Sequence, residues 1–286
     1  MCSPETRYEN INNIRPSELY LSSLKLKKIG SKEHEIGALP VKQIAGELFY
    51  LDGHHRAYKL YMEGREEVKV YDDEDNLDWL EYLICVNWCR DEGIDSIADL
   101  GERIVEEALF KKLWLDRCKE MHEQVDDDRF QFIDFKEEDD PDTKSEVCSS
   151  ILKDLPVYFG IEKAVKEYIQ NVRDKYFVTV RVGTIPVGFI ALKEHNEFTS
   201  EIYVMGIVEE LHGRGIGKKL MEKVEEHLIG QDKKYLTVKT LAPSNPDEGY
   251  KKTRAFYRSV GFDPLEEFTD LWGEDNPCLF MIKTLS

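Results

Sequence analysis

What the chain lacks narrows the field first. No apolar run approaches eighteen residues, so no segment reads as a membrane-spanning helix. The opening MCSPETRYEN has no apolar core of the kind a secretory signal needs. Together these absences lead to the expectation of a cytoplasmic protein with no membrane partner. Cysteine is sparse: the six residues at 2, 85, 89, 118, 148 and 278 form no C-x-x-C pair, a pattern of the reducing cytosol rather than of a disulfide framework. Cys85 and Cys89 stand four apart on an expected helix without a second Cys/His pair nearby. They read as buried core, and no metal is expected. Basic residues are also in deficit. With 39 Lys and Arg against 57 Asp and Glu, the formal charge is −18, and a nucleic-acid partner is not expected without a concentrated basic surface. The same surplus is compatible with a cationic amine substrate.

Two common nucleotide motifs are missing as well: there is no G-x-x-x-x-G-K-[ST], and no G-x-G with the third glycine three residues on. What is present is EIYVMGIVEELHGRGIGKKL, from Glu201 to Leu220, where a strand pattern runs into Gly213, Gly215 and Gly217 and then into the amphipathic KKLMEKVEEHL. Glycines at this spacing let the backbone approach a ligand and turn N–H groups toward it. The helix behind them adds unpaired amides and the positive end of its dipole, so the segment predicts a cradle for a diphosphate.

The segment resembles motif A of the GNAT superfamily of acyl-CoA-dependent N-acyltransferases, [QR]-x-x-G-x-[GA] after a strand, with His212 in the Gln/Arg place. The resemblance runs from about Arg129 to Ser286. FQFIDF stands for a first strand, ILKDLPVYFGIEKAVKEYI for a helical pair, FVTVRVGTIPVGFIAL for a hairpin, YLTVKTL for the strand after motif A, and TRAFYRSVGF for a late helix. It implies acetyl-CoA as cofactor, its diphosphate on the amides of Gly213, Arg214, Gly215, Ile216, Gly217 and Lys218, with the Arg214, Lys218 or Lys219 side chain near another phosphate. It further implies backbone contacts to the thioester and pantetheine at Ile207 and Val208, and one to pantetheine from Asn245. His212 is shorter than the usual Arg or Gln, which weakens a side-chain contact and leaves the amides in place. Acetyl transfer to an amine needs a base and an acid. Glu201 lies eleven residues before His212, the offset at which one branch of the family places a basic glutamate, and shares a strand face with Tyr203, Met205 and Ile207 by period two. It is the expected base, working through water. Tyr257 occupies the place of the family's tyrosine that protonates the departing thiolate, although Tyr250 stands where spacing from Asn245 would put it. LPVYFGI and DLWGEDNPCLF border the acceptor side, so Tyr158, Phe159, Trp272 and Glu274 are candidates for a pocket around an amine with an apolar part.

The N-terminal half reads differently. ALPVKQIAGELFYLDGHHRAYKLYMEG predicts strand, turn at Gly46, strand and helix; VKVYDD predicts another strand; and the chain from Leu77 to about Glu123 reads helical apart from a break at Gly93. The string Asp52-Gly53-His54-His55-Arg56 resembles the ParB/sulfiredoxin-like superfamily, some members of which phosphorylate free serine with a nucleotide. That resemblance implies a phosphate loop: Gly53 opens the turn, Arg56 grips oxygens bidentately, the two histidines donate or move protons, and Asp52 orients a histidine or acts as a base. No clear second carboxylate is evident beside the motif, although Glu35 is a candidate.

The expected class is α/β (α+β). A small ParB/sulfiredoxin-like domain with a helical extension occupies 1–125, and a GNAT domain with a mixed, splayed, mostly antiparallel sheet occupies 126–286. KEEDDPDTKSE, after the first strand, reads as a solvated loop. The leading function is acetyl-CoA-dependent N-acetylation of a small-molecule or peptide amine, with a nucleotide-binding or regulatory N-terminal module. The competing readings are a non-catalytic acyl-CoA sensor and a phosphotransferase acting through the DGHHR loop. The amine, the oligomeric state and any coupling of the domains are left open by the sequence.

Overall fold

The computed structural model describes residues 4–29, 37–73, 77–273 and 275–285. Glu35 and Glu274 lie outside the described residues. Contacts divide the chain into two units, Met1–Asp134 with Val182–Ile185, and Phe135–Arg181 with Pro186–Ser286.

In the first unit β1 (Thr6–Asn10) is followed by the short β2 (Leu21–Ser22), α1 (Ser23–Lys28) and a hairpin of β3 (Leu39–Ile44) and β4 (Glu47–Tyr50). Ala45 and Gly46 make its turn with φ of 54° and 81°, the doubly left-handed geometry that a two-residue hairpin favours. Helix α2 (His54–Met62) follows, and β5 (Glu67–Asp72) then enters between β1 and β3, antiparallel to the first and parallel to the second. The order is β1-β5-β3-β4. Asp78 caps α3 (Trp79–Asp91) by accepting from the Leu80 and Glu81 amides.

The helical run expected beyond Gly93 does not form as one element. Ile97–Arg103 is a 3-10 helix and Ile104–Val105 is strand β6, paired parallel with β2. Gly101 and the β-branched pair Ile104-Val105 disfavour a continuous helix there. Helix α4 (Glu107–Phe110) then passes through a π turn into α5 (Asp116–Asp127). The expected domain boundary at 125/126 falls inside α5, whereas the compact units divide after Asp134.

The second unit holds a seven-stranded sheet. FQF winds into a 3-10 turn, Arg129–Phe132, so β7 (Asp134–Glu137) starts later than expected. The acidic stretch behind it is no loop throughout. Asp140 accepts from the Thr143 amide, Pro141 takes the first helical turn, and α6 (Pro141–Lys153) starts inside it. Then come α7 (Glu162–Asn171), a hairpin of β8 (Tyr176–Val182) and β9 (Ile185–Asn196), β10 (Thr199–Ile207), α8 (Ile216–Ile229), β11 (Tyr235–Leu241), α9 (Glu248–Ser259), β12 (Asp263–Phe268) and β13 (Cys278–Thr284). The sheet order is β12-β13-β11-β10-β9-β8-β7, antiparallel along β9 to β10 and β11 to β13 but parallel where the α8 crossover joins β10 to β11.

Phe177, Val178, Phe189, Ile190 and Ala191 have no more than 1% of their surface exposed. Such near-continuous apolar runs mark strands covered on both faces, and each large side chain removed from water contributes about 1.5–3 kcal/mol. Gly206 on β10 is part of that packing, since a Cβ there would stand 3.0 Å from Ile151 and 3.2 Å from Leu155.

Candidate functional site

The site begins where two parallel strands part. β10 and β11 pair only from Thr199↔Tyr235 to Ile202↔Val238, while β11 continues along β13 and β10 along β9. Past this fork the strands enclose a cleft of about 680 Å³, lined on one side by Tyr203 to Ile207 and on the other by Lys239 and Thr240. Hydrogen bonding fixes which amides face it. The Val208 N–H donates to the Val187 carbonyl at 3.0 Å, so by the two-residue alternation of a strand the main-chain groups of Met205 and Ile207 turn the other way, toward the fork. Val208, expected as a partner of the thioester or pantetheine, is therefore committed to β9, and Ile207 is the one of the pair on the cleft wall.

The glycine turn closes one end. Gly213 and Gly215 sit at φ 74° and 83°, a region other residues enter only at a cost of about 1–2 kcal/mol. Gly215 is the N-cap of α8 and supplies no side chain to its first amides, which leaves them for a ligand. His212, Gly213, Gly215, Ile216, Gly217 and Lys218 line the cleft, while Arg214 and Lys219 do not. His212 Nε2 donates to the Ile207 carbonyl at 2.7 Å, so the residue in the Gln/Arg place ties the turn to β10. Gly217 is required by packing: a Cβ there would lie 2.9 Å from the Phe256 ring. Gly217→Ala is expected to destabilise the protein by about 1–3 kcal/mol. It should also shrink the thermal shift given by acetyl-CoA, because Phe256 lines the same cleft; an unchanged melting curve would show that the ring yields freely.

Tyr257 lies on the cleft wall, 7% exposed, its ring 5.5 Å edge-on to Phe262. Burial raises the pKa of its phenol, with Tyr250 and Tyr168 adding to the effect, so the hydroxyl stays protonated. Tyr250 also lines the cleft, but its hydroxyl donates to the Tyr158 carbonyl at 2.8 Å. Asn245 is not on the wall. Its side chain donates to the Asp275 carbonyl at 3.1 Å and accepts from the Asp247 amide at 3.1 Å, structuring the loop before α9.

Glu201 does not follow the expected alternation. β10 carries a bulge between Ile202 and Val204, which pair with the adjacent residues Leu192 and Ala191, so Tyr203 is the extra residue and the face below it changes. Tyr203, Met205 and Ile207 line the cleft and Glu201 does not. The Glu201 carboxylate is 6% exposed as a residue and Oε2 accepts from Lys239 Nζ at 2.7 Å and from His195 Nε2 at 2.6 Å. A half-buried strand glutamate paired with a lysine is the alternative the sequence offers for Glu201, and the lysine is Lys239; the contact with His195 has no sign in the sequence. Among the candidates for the acceptor side, Tyr158, Phe159 and Trp272 are on the wall, joined by Tyr168 and Tyr203.

In the N-terminal unit, Gly53 at φ 84° caps α2, and a Cβ there would stand 2.8 Å from both Arg56 and Leu39. Asp52 and Arg56 face each other at 3.3 Å near the surface. The histidines, however, point inward. His54 Nε2 accepts from the Ser17 amide at 2.9 Å and His55 Nε2 from the Ser22 amide at 2.8 Å, which leaves Nδ1 as the protonated nitrogen of each neutral ring. Both Nδ1 atoms face Glu18 Oε2, at 3.4 and 3.5 Å. The expected donation by the His pair to a phosphate thus has no free ring nitrogen behind it, and Glu18, flagged by no motif, is the buried carboxylate beside DGHHR. Burial pushes Glu18 up to about 8, and burial pushes His54 down to about 3 and His55 down to about 4.

Residues 145–262, less than half of the chain, match the model of the acetyltransferase (GNAT) family. No curated protein matches the chain. Its structure is similar to that of the IAA acetyltransferase from Bacillus cereus ATCC 14579, at 20% identity and a TM-score of 0.42 over 54% of this chain and 99% of that one. It is also similar to the ribosomal-protein-S18-alanine N-acetyltransferase from Escherichia coli, at 14% identity and 0.43 over 54% and 94%. A third is a GNAT family acetyltransferase from Elizabethkingia anophelis with acetyl-CoA bound, at 14% identity and 0.40 over 54% and 99%. The family match falls on the strands, turn and helices that build the cleft, and the chain carries a GNAT acetyltransferase domain, that of an acyltransferase, at residues 145–262.

Proposed function

We propose that the second unit binds acetyl-CoA in the forked cleft and acetylates an amine directly. The observation that carries this reading is the fork itself: past Ile202 the edge of β10 has no partner in β11, the Ile207 carbonyl is taken by His212, and this edge runs into a glycine turn whose helix lacks a side-chain cap. A pantetheine arm fits against such an edge, and a diphosphate fits the amides of Gly213 to Lys218. Bound acetyl-CoA supplies the acetyl thioester, and the amide bond to the acceptor nitrogen forms as the carbon–sulfur bond breaks, yielding the N-acetyl product and the coenzyme A thiol.

The chain's part is to hold, orient and move protons. The Tyr257 hydroxyl, kept protonated by burial, donates its proton to the departing sulfur. The proton lost by the acceptor nitrogen passes through water to Glu201, and His195, bonded to the same carboxylate oxygen as Lys239, is one-third exposed and opens the path to solvent. Glu201→Gln is expected to lower kcat about tenfold or more with little effect on KM for acetyl-CoA, because Glu201 does not line the cleft. Coenzyme A release at saturating amine reads this out, and an unchanged kcat would remove Glu201 from the reaction. The N-terminal unit is, on this reading, a ParB/sulfiredoxin-like module in which Asp52 and Arg56 remain as candidates for a nucleotide phosphate.

A further inference from the structure

The cleft's wall chemistry selects an acceptor, and this inference rests on the acetyltransferase reading above. On a chain of formal charge −18, the ionisable side chains on the wall, tyrosines apart, are all basic among the described residues: His212, Lys218, Lys239 and Lys252. Lys218 belongs to the phosphate turn and His212 is bonded to Ile207, so both are placed for the cofactor end. Lys239 is elsewhere. It is the first residue of β11 past the last β10 pair, across the fork from Tyr203. Its ammonium is held at 2.7 Å by the off-wall carboxylate of Glu201 and lies 5.7 Å from the centre of the Phe280 ring, which orients it; the Glu201 bond uses one of its three donors.

Beside it stands an aromatic wall. Phe159, Tyr168 and Tyr203 meet edge to face in series, with centroids 6.1 and 5.4 Å apart, and the Tyr203 hydroxyl is fixed by Asn171 at 3.0 Å. Tyr168 lies near enough to Tyr257 to contribute to the rise in its pKa, so this wall adjoins the proton donor of the reaction. A polycationic amine would bring further positive charge up to the Lys239 ammonium, with no carboxylate on the wall among the described residues to receive it. An aromatic amine with an anionic group satisfies both features.

We infer that the acceptor is an aromatic monoamine carrying a carboxylate next to the reacting nitrogen, the free α-amine of an aromatic amino acid being its simplest form. The carboxylate lies on Lys239, the ring lies on Phe159, Tyr168 and Tyr203, and the amine is at the fork. N-acetylation then exchanges the nitrogen's proton for the acetyl group and releases coenzyme A thiol, with no further reactant.

The test compares L-phenylalanine and L-tryptophan with phenethylamine and tryptamine, which lack only the carboxylate, and with spermidine and kanamycin. Coenzyme A release should favour the amino acids in kcat/KM by at least about tenfold, the effect of one charge-assisted bond. Lys239→Met should collapse that ratio toward about one, and Lys239→Arg should restore part of it. Calorimetric titration of the same ligands in the presence of coenzyme A should show the same ordering without turnover. The acetyl-CoA thermal shift checks that each variant is folded. A preference for spermidine or kanamycin overturns the inference, as does a Lys239→Met that slows amino acids and carboxylate-free amines by one common factor. Release with none of these amines but with another overturns this inference alone, whereas acetyl-CoA binding without release for any amine overturns the acetyltransferase reading beneath it.

Discussion

Tyr257→Phe is expected to lower kcat about a hundredfold, the lower range for loss of a general acid, while KM for acetyl-CoA changes little. The substitution is clean because the ring's neighbours are apolar: Phe256 at 5.3 Å and Phe262 at 5.5 Å pack the same surface in the variant. Only the hydroxyl leaves. Burial raises the phenol's pKa, so the donor form persists as pH rises, and no alkaline loss of activity should trace to Tyr257 below about pH 10. The wild-type profile should therefore rise with pH as the acceptor amine loses its proton and then stay level. Thermal unfolding of the variant separates chemistry from folding: a normal transition with a hundredfold lower kcat fits an acid, and a kcat within about twofold of wild type makes Tyr257 a core aromatic.

How much of this was legible in the sequence depends on whether the cause is local. The glycine turn was, because the positive φ at Gly213 and Gly215 is a demand of the backbone itself. The turn at Gly46 was legible for the same reason, while the hairpin around Gly183 and the place of Tyr257 on the cleft came only from the family resemblance. The β10 bulge was not, because it depends on register with β9, and it is what removes Glu201 from the wall to which a strict period of two assigned it. Lys239 meets Glu201 from 38 residues away, and Ser17 and Ser22 reach the histidines from 37 and 33 residues away. Such contacts carry no signature within either segment. Glu18 illustrates the point most clearly. In SELYL it looks like an ordinary polar break in an apolar stretch, and only the fold shows that it is buried along with its neighbours Ser17 and Leu19.

Glu18 should make the first unit lose stability in mild alkali. Its carboxyl keeps its proton up to about 8 in the folded chain against an ordinary 4.5. The folded state thus binds that proton more tightly than the unfolded one, and the associated stability is complete below 4.5 and lost as pH rises through about 8. His54 and His55 act with the opposite sign: their folded values lie below 6.5, so their contribution is present above 6.5 and lost as pH falls toward about 4 and 3. The effects oppose each other between 4.5 and 6.5, where the two histidines outweigh the one carboxyl, which makes the range from 6.5 to 8.5 the one in which Glu18 titrates without them. Across it the wild type should lose on the order of a few kcal/mol, and Glu18→Gln, which cannot ionise, should lose much less. Tryptophan fluorescence suits the measurement because Trp79, Trp88 and Trp114 belong to the first unit and only Trp272 to the second. Equal losses for the two proteins between pH 6.5 and 8.5 would mean that the carboxylate between the two histidines is ionised in the folded chain at neutral pH. The predicted outcome, a much shallower fall for Glu18→Gln than for the wild type, requires instead that His54 and His55 face a carboxylic acid.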